Sequence, residues 1–382
     1  MTKAYDVIVL GVGGIGSAAL ADLASRGARV LGLERFAVAH DRGSSHGETR
    51  IIRKAYFEHP DYVPLLHRSY ELWQAHEAER DEKLFFQTGA LAMGPGDLPL
   101  IQGVKEAAKQ HNVPIEPFDH EARRRHYPWF NIPERFETLF EPSGGFLLVE
   151  KSVASFADTA VSRGAALREQ TVVTGWTAND QGVDVHTETE TFSARALIIT
   201  AGAWANDFVS DALAERNVAL TVRRKHLHWF ANQRDDNPFQ IDNDAPVFFF
   251  EVDDCLFYGF PAIDGLGTKV ANHYGGETLT DPLRKSDAQA PADDKNIDRF
   301  LARFMPTVSP ARTQHATCMY TMSPDGHFIV DRHPEHENVV FTTGLSGHGY
   351  KFAPVLGEIM ADLALNQRTE HPIQFLGLDR FG

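Results

Sequence analysis

Apolar and polar positions repeat with different periods along this chain. Near the amino terminus, Val7-Ile8-Val9-Leu10 is an unbroken apolar run rich in branched residues, the pattern of a strand buried on both faces. Gly11-Val12-Gly13-Gly14-Ile15-Gly16 follows at once. Ile15, Ala18, Ala19 and Leu23 then recur at three- and four-residue spacing, which predicts a helix that Gly27 can terminate. A second strand, Val30 to Leu33, ends on Glu34. Ala196-Leu197-Ile198-Ile199-Thr200 is another buried-strand run, leading into Ala201-Gly202-Ala203-Trp204. Val339 to Thr342 precedes a second glycine-rich turn, and Val355, Leu356, Ile359, Met360 and Leu363 mark an amphipathic helix beyond it.

The middle of the chain has another rhythm. His226-Leu227-His228-Trp229-Phe230 alternates polar and apolar, and Phe248-Phe249-Phe250 is a compact aromatic run, so residues 219–275 predict an antiparallel sheet. Asp281 to Asp298 reads as an acidic surface loop leading into a helix around Asn296–Phe304. No internal repeat or low-complexity tract interrupts this plan. The fold class is α/β (α+β): a nucleotide-binding domain assembled from separated segments, with a second, mixed antiparallel-sheet substrate domain.

Composition narrows the partners. With 37 basic against 52 acidic residues the chain carries −15, which argues against nucleic acid or an anionic membrane as its main partner. The two cysteines, Cys255 and Cys318, are too few for the disulfide framework of a secreted domain. The amino-terminal apolar run is too short for a secretory core, and the final residues, Asp379 to Gly382, match no peroxisomal or prenylation signal. The cytoplasm is the expected compartment.

Gly11, Gly13 and Gly16 fit G-x-G-x-x-G between a strand and a helix. In that context the glycines allow a tight turn, close approach of backbone to a pyrophosphate and close helix–strand packing, and the helix N-terminus offers free N–H groups. Glu34, at the end of the second strand, can accept from ribose hydroxyls and disfavours the extra phosphate of NADP. NAD and FAD share this fingerprint, so it leaves the dinucleotide open.

More specific segments lie downstream. Gly43-Ser44-Ser45-His46-Gly47-Glu48-Thr49-Arg50-Ile51-Ile52-Arg53 comes first, then Tyr258-Gly259-Phe260-Pro261, Lys269 and His273. Cys318-Met319-Tyr320-Thr321 precedes Asp325-Gly326-His327-Phe328-Ile329-Val330-Asp331, and Gly344-Leu345-Ser346-Gly347-His348-Gly349-Tyr350-Lys351-Phe352 closes the series. In this order the set resembles the monomeric sarcosine oxidase family, including the N-methyltryptophan oxidases, from about Tyr5 to the last helix. The resemblance implies a Rossmann-like FAD-binding domain of glutathione-reductase type from residues 1–84, 150–218 and 322–382. Residues 85–149 and 219–321 would form the substrate domain.

It also implies FAD attached through a thioether to Cys318, by attack of a thiolate on the 8α-methyl carbon. Arg53 and Lys351 match the family's cations for a substrate carboxylate, with Tyr320 beside them. Lys269 matches the lysine assigned to oxygen activation, with Arg50 and Thr49 on the same side of the flavin; His273 and Tyr258 match groups lining the substrate site. His46, Thr49, Arg50, Val173, Gly347, Gly349 and Lys351 join the glycine fingerprint and Glu34 as cofactor contacts. Gly347 and Gly349 would let backbone approach the flavin ring, and the helix behind them would turn its positive end towards a reduced flavin.

The implied reaction oxidises the N-methyl C–N bond of an N-methyl amino acid with O2, giving the parent amino acid, formaldehyde and hydrogen peroxide. Sarcosine and N-methyl-L-tryptophan are the leading substrate types; pipecolate and sugar–amine adducts are the alternatives within the class. An NAD-dependent dehydrogenase would share the fingerprint but give Cys318 no role. The expected partners are a small amino-acid substrate and O2 only, with the chain a monomer. No metal is expected: His226 and His228 share one strand face without an evident third ligand, and His333 and His336 flank Pro334 in a loop-like stretch.

Overall fold

The computed structural model describes residues 5–232, 239–263 and 265–382. Two large sheets and one small one account for the strands. In the first sheet Tyr5–Leu10 lies between Val30–Leu33 and Thr191–Ile199, parallel to both, and His336–Thr343 continues the parallel run beside Thr191–Ile199. This is the doubly covered arrangement that the continuous apolar runs require. Val7, Val9, Ile198 and Val340 pack on one face with the helices Gly14–Ser25 and Ala353–Asn366. Ile8, Leu10, Leu197, Ile199 and Phe341 pack on the other.

The glycine turn joins the first strand to its helix as the sequence predicts. That helix stops at Ser25; Gly27 takes φ +77° and the Ala28 N–H returns to the Leu23 carbonyl, closing the end with a left-handed glycine.

The second sheet is mixed. Its order runs Glu277–Leu279, Thr221–Asn232, Thr268–Asn272, Cys255–Phe260, Val247–Val252, Ala90–Pro95, Phe136–Glu141, Glu116–Pro117. All these pairings are antiparallel except that of Val247–Val252 with Ala90–Pro95. Val308–Met322 adds to Thr221–Asn232 along most of its length.

Helix Pro291–Phe304 lies against this sheet through Ile297, Phe300 and Phe304, with Phe300 stacked on Phe257 at 4.3 Å between ring centres. It starts at Pro291, ahead of the Asn296 expected from pattern. Proline suits a first helical turn, and Asp293 and Asp294 there oppose the positive helix end, so a stretch that reads as an acidic loop begins the helix instead. A three-stranded sheet, Thr49–Ile52, Gly145–Leu148 and Phe85–Phe86, carries Arg50 and leads straight into Arg53.

Candidate active site and cofactor cleft

A cleft of about 1370 Å³, open mouth included, runs along the carboxyl ends of the parallel strands. Ligands of open parallel sheets bind at these strand ends, and the glycine turn and Glu34 stand there together. Gly11, Gly13, Glu34, Val173, Gly347 and Gly349 lie in its wall, as do Arg50 and Tyr320. Glu34 is aimed by two backbone amides: Val12 N–H donates to Oε2 at 2.8 Å and Phe36 N–H to Oε1 at 3.0 Å.

Gly16 stands behind the wall, pressed against the turn, where a Cβ would fall 1.8 Å from the Gly11 carbonyl oxygen. Among the described residues, the hydroxyls of Thr321, Thr342 and Thr343 are buried without a hydrogen-bond partner, and all three residues line the cleft. Orphaned hydroxyls on a glycine-rich, apolar wall fit a polar ligand such as a flavin dinucleotide.

Strand register explains how residues far apart in sequence meet beyond the cleft. Cys318 sits opposite Lys225, Lys269 opposite Trp229, and Tyr258 opposite Ala271. Side chains alternate along a strand, so Cys318, Tyr320, Lys225, Trp229, Lys269 and Tyr258 all face one side of the second sheet. Thr49 and Arg50 meet that face from the small sheet.

Lys269 is buried, donates to the Thr49 carbonyl at 3.1 Å and Thr49 Oγ1 at 3.2 Å, bonds the Gly47 carbonyl and lies over the Trp229 and Phe260 rings. Burial, with Arg50 second, pulls its ammonium down to about 7. Arg50 donates to the carbonyls of Thr49 and Ser44, both at 2.8 Å. Tyr258 and Tyr320 bring their hydroxyls within 3.5 Å, and the Tyr320 hydroxyl lies 3.4 Å from His273 Nδ1. Burial pushes Tyr258 up to about 12 and His273 down to about 3, so this wall is polar and uncharged. His46 is buried with Nε2 unpartnered and is held down near 3 by burial and then by the Lys285 and Arg50 cations.

Arg53 and Lys351 converge from different elements. Arg53 is buried, with one guanidinium nitrogen 2.6 Å from Glu58 Oε2 and another donating to the Ala55 carbonyl. Burial favours a neutral Glu58, but Arg53, His348 and Lys351 outweigh it and hold the carboxyl near 2. The Lys351 backbone carbonyl is fixed by Ser69 Oγ at 2.6 Å and Trp73 Nε1 at 3.0 Å, and its ammonium donates to the His348 carbonyl at 2.8 Å. Burial and the neighbouring Arg53 pull that ammonium down to about 7.

A Cβ at Gly347 would strike the Tyr320 ring at 2.3 Å and one at Gly349 would meet Leu345 at 2.8 Å, so both positions exclude a side chain while their backbone stays in the cleft wall. In the Phe248–Phe250 run only Phe249 reaches the site, 4.8 Å from the Arg53 guanidinium, while Phe248 and Phe250 belong to the core under helix Pro291–Phe304. His226 and His228 meet a third histidine, His315 from Val308–Met322, with His226 Nδ1 and His315 Nε2 3.0 Å apart, although no described group has the arrangement to hold a metal ion.

Lys225, Glu58 and Tyr56 were missed. Lys225 is buried beside Tyr320 and held at the Tyr274 and Gly275 carbonyls; burial lowers it to about 8. Its position opposite Cys318 shows only in the strand pairing. Cys255 is half-buried beside Asn272, away from this face.

Residues 6–363 match the FAD dependent oxidoreductase (DAO) family. A monomeric sarcosine oxidase of Streptomyces avermitilis is 40% identical over 382 residues, covering 98% of this chain and 97% of its own. An N-methyl-L-tryptophan oxidase of Yersinia pestis is 35% identical, with 99% of both chains covered. Among solved structures, the open form of NikD, an amino acid oxidase of nikkomycin biosynthesis, superposes with a TM-score of 0.85 at 26% identity and 98% coverage of each chain. The chain thus belongs to the FAD-dependent oxidoreductases of the DAO family, in the branch of the monomeric sarcosine and N-methyl-L-tryptophan oxidases.

Proposed function

We propose that this protein is an FAD-dependent oxidase of N-methyl amino acids, of sarcosine or N-methyl-L-tryptophan type. The observation that carries the reading is the pair of buried cations, Arg53 and Lys351, beside an uncharged Tyr258–Tyr320–His273 wall at the end of a dinucleotide cleft. When bound, FAD would supply the acceptor for the hydride equivalent lost from the N-methyl carbon, with O2 as the final oxidant. The balanced outcome is that an N-methyl amino acid, O2 and water give the parent amino acid, formaldehyde and hydrogen peroxide.

The chain's own residues prepare that reaction. Arg53 and Lys351 take the substrate carboxylate, which competes with Glu58 for the guanidinium. The same cations, with Arg50, Lys225 and Lys269, disfavour a protonated amine in a desolvated chamber. The substrate nitrogen therefore binds neutral, with the lone pair needed to expel a hydride. Tyr258, Tyr320 and His273 border the amine without adding charge. Lys269, fixed by the Gly47 and Thr49 carbonyls, offers a cation where oxygen gains negative charge. Cys318, buried on the same face, is the attachment point for the flavin.

A peroxide assay across sarcosine, N-methyl-L-tryptophan, other N-methyl amino acids, pipecolate and a sugar–amine adduct tests the proposal. Peroxide with formaldehyde from an N-methyl amino acid is the expected result. Turnover confined to pipecolate or the sugar adduct, or no peroxide at all under O2, refutes it.

A further inference from the structure

Tyr56 touches both cations of the carboxylate clamp. Its ring centre is 4.3 Å from the Arg53 guanidinium carbon, while Lys351 Nζ, 5.0 Å from that centre, lies towards its hydroxyl end. The side chain is buried among Tyr62, Phe352 and His348, at ring-centre distances of 5.1, 5.3 and 5.8 Å.

The hydrogen bonds at its hydroxyl have one consistent direction. His348 Nε2 lies 2.9 Å from the Gly326 carbonyl, which can only accept, so Nε2 carries the hydrogen. His348 Nδ1 is then a bare acceptor, and Tyr56 donates to it at 2.6 Å in preference to the His348 carbonyl at 3.2 Å. The Tyr56 oxygen is left to accept from Lys351 Nζ at 3.4 Å. With the His348 carbonyl as its second acceptor, Lys351 has one N–H remaining for a ligand.

We propose that Tyr56 is a positioning residue for the substrate carboxylate: ordered by His348, its hydroxyl holds Lys351 charged and turned towards the position that Arg53 also faces. The inference rests on the reading that Arg53 and Lys351 bind a carboxylate. Without the Tyr56 oxygen, an acceptor that favours the ammonium is gone while Arg53 remains, and Lys351 loses its proton more readily. The charged and titratable groups facing Lys351 are Arg53, Glu58, Arg50, Tyr56, His348 and His273.

The test uses the holoenzyme and acetate as a plain carboxylate probe, titrated calorimetrically from neutral to alkaline pH. Tyr56→Phe keeps the ring and removes the oxygen. It should weaken acetate about tenfold at neutral pH and move the alkaline loss of binding down by about one pH unit. The limiting rate of anaerobic flavin reduction at saturating substrate should stay within about twofold of wild type. His348→Leu should act in the same direction and Tyr56→Phe/His348→Leu should be no worse than the poorer single variant, because both break one chain of bonds. His348→Asn, which returns an acceptor near Nδ1, should keep acetate affinity within about threefold of wild type.

An unchanged alkaline limb in Tyr56→Phe, additive losses in the double variant, or an equal fall in the limiting reduction rate overturns the assignment while leaving the clamp standing. A wild-type enzyme that does not bind acetate removes the clamp itself and the inference with it.

Discussion

Replacing Gly13 and Gly16 one at a time by alanine separates two demands made on the same turn. At Gly16 a Cβ would lie 1.8 Å from the Gly11 carbonyl oxygen and 2.6 Å from Thr200 Oγ1, where real Cβ contacts do not fall below 3.0 Å. The turn and the helix must part by more than about 1 Å to accept it. Neither neighbour yields easily: the Gly11 N–H is bonded to the Leu33 carbonyl at 2.9 Å, and Thr200 Oγ1 donates to the Gly11 carbonyl at 2.6 Å. Overpacking costs about 1–3 kcal/mol, and backbone obstruction on one side places Gly16→Ala at the upper end. In a chain of this length about 3 kcal/mol lowers Tm by about 4 °C.

At Gly13 the backbone has φ −78° and a Cβ would meet nothing nearer than Ser45 Oγ at 3.8 Å, so the protein alone accommodates Gly13→Ala. Its methyl instead occupies the side of the turn assigned to the pyrophosphate, and losing one or two charge-assisted bonds there weakens FAD by about 3 kcal/mol, more than 100-fold. The assay is FAD affinity of each variant made in the Cys318→Ala background, where no thioether can trap the flavin, together with calorimetric Tm values of apoproteins from riboflavin-starved cells. Gly13→Ala should bind FAD more than 100-fold more weakly with an apoprotein Tm within about 1 °C of its parent, and Gly16→Ala should lower the apoprotein Tm itself. Unchanged FAD affinity in Gly13→Ala, or an unchanged Tm in Gly16→Ala, would refute the reasoning.

Lys269→Met should slow flavin reoxidation by O2 about 100-fold or more while changing anaerobic reduction far less; equal slowing in stopped flow contradicts the oxygen role. Cys318→Ala should release all flavin colour into the supernatant on acid precipitation, whereas wild-type colour should stay with the polypeptide; colour retained by the variant sinks the thioether assignment. Lys351→Ala should weaken substrate binding by about 2–5 kcal/mol, and an unchanged dissociation constant would place Lys351 outside the clamp. Acid should destabilise the fold. Burial depresses His46, His226, His273 and His348 from 6.5 to about 3–4, so between those values the unfolded chain binds more protons and stability falls with pH. A Tm that does not drop between pH 6.5 and 4.5 in wild-type apoprotein would show that these histidines titrate normally.

What could be read from the chain followed the range of the interactions. The βαβ opening declares itself because strand, turn, helix and acid are local, and both the Gly27 helix end and the aim of Glu34 depend on neighbours within one such unit. The helix at Pro291 was harder, since its first turn is acidic and polar and only its later apolar residues, such as Phe300 and Phe304, signal the packed face. The site residues were reached through a family pattern, which names positions but not their partners. Lys225 escaped because its meaning depends on register with Cys318, and Tyr56 because it depends on a clamp whose halves lie almost three hundred residues apart. Pairing across sheets and loop closure are non-local, and no window of sequence carries them.

The same non-local geometry resolves the contrast between an acidic chain and a cation-rich chamber. A net charge of −15 is spread over the surface, where water screens it, whereas Arg53, Lys225, Lys269 and Lys351 are almost wholly buried. Burial charges the fold for each of them, and the lysines respond by holding their protons less tightly, near 7 to 8 rather than 10.5. An anion entering the chamber reverses that pressure, because its charge stabilises the protonated lysine that burial disfavours. In the proposed clamp, binding of a carboxylate and charging of Lys351 are therefore linked, and each would promote the other. Glu58, ionised beside Arg53, keeps the guanidinium compensated before a substrate arrives, and a carboxylate of matching charge can take its place without leaving that cation bare. On the proposed function, such a chamber would select its ligand by charge first, and only afterwards by the shape of what the carboxylate carries.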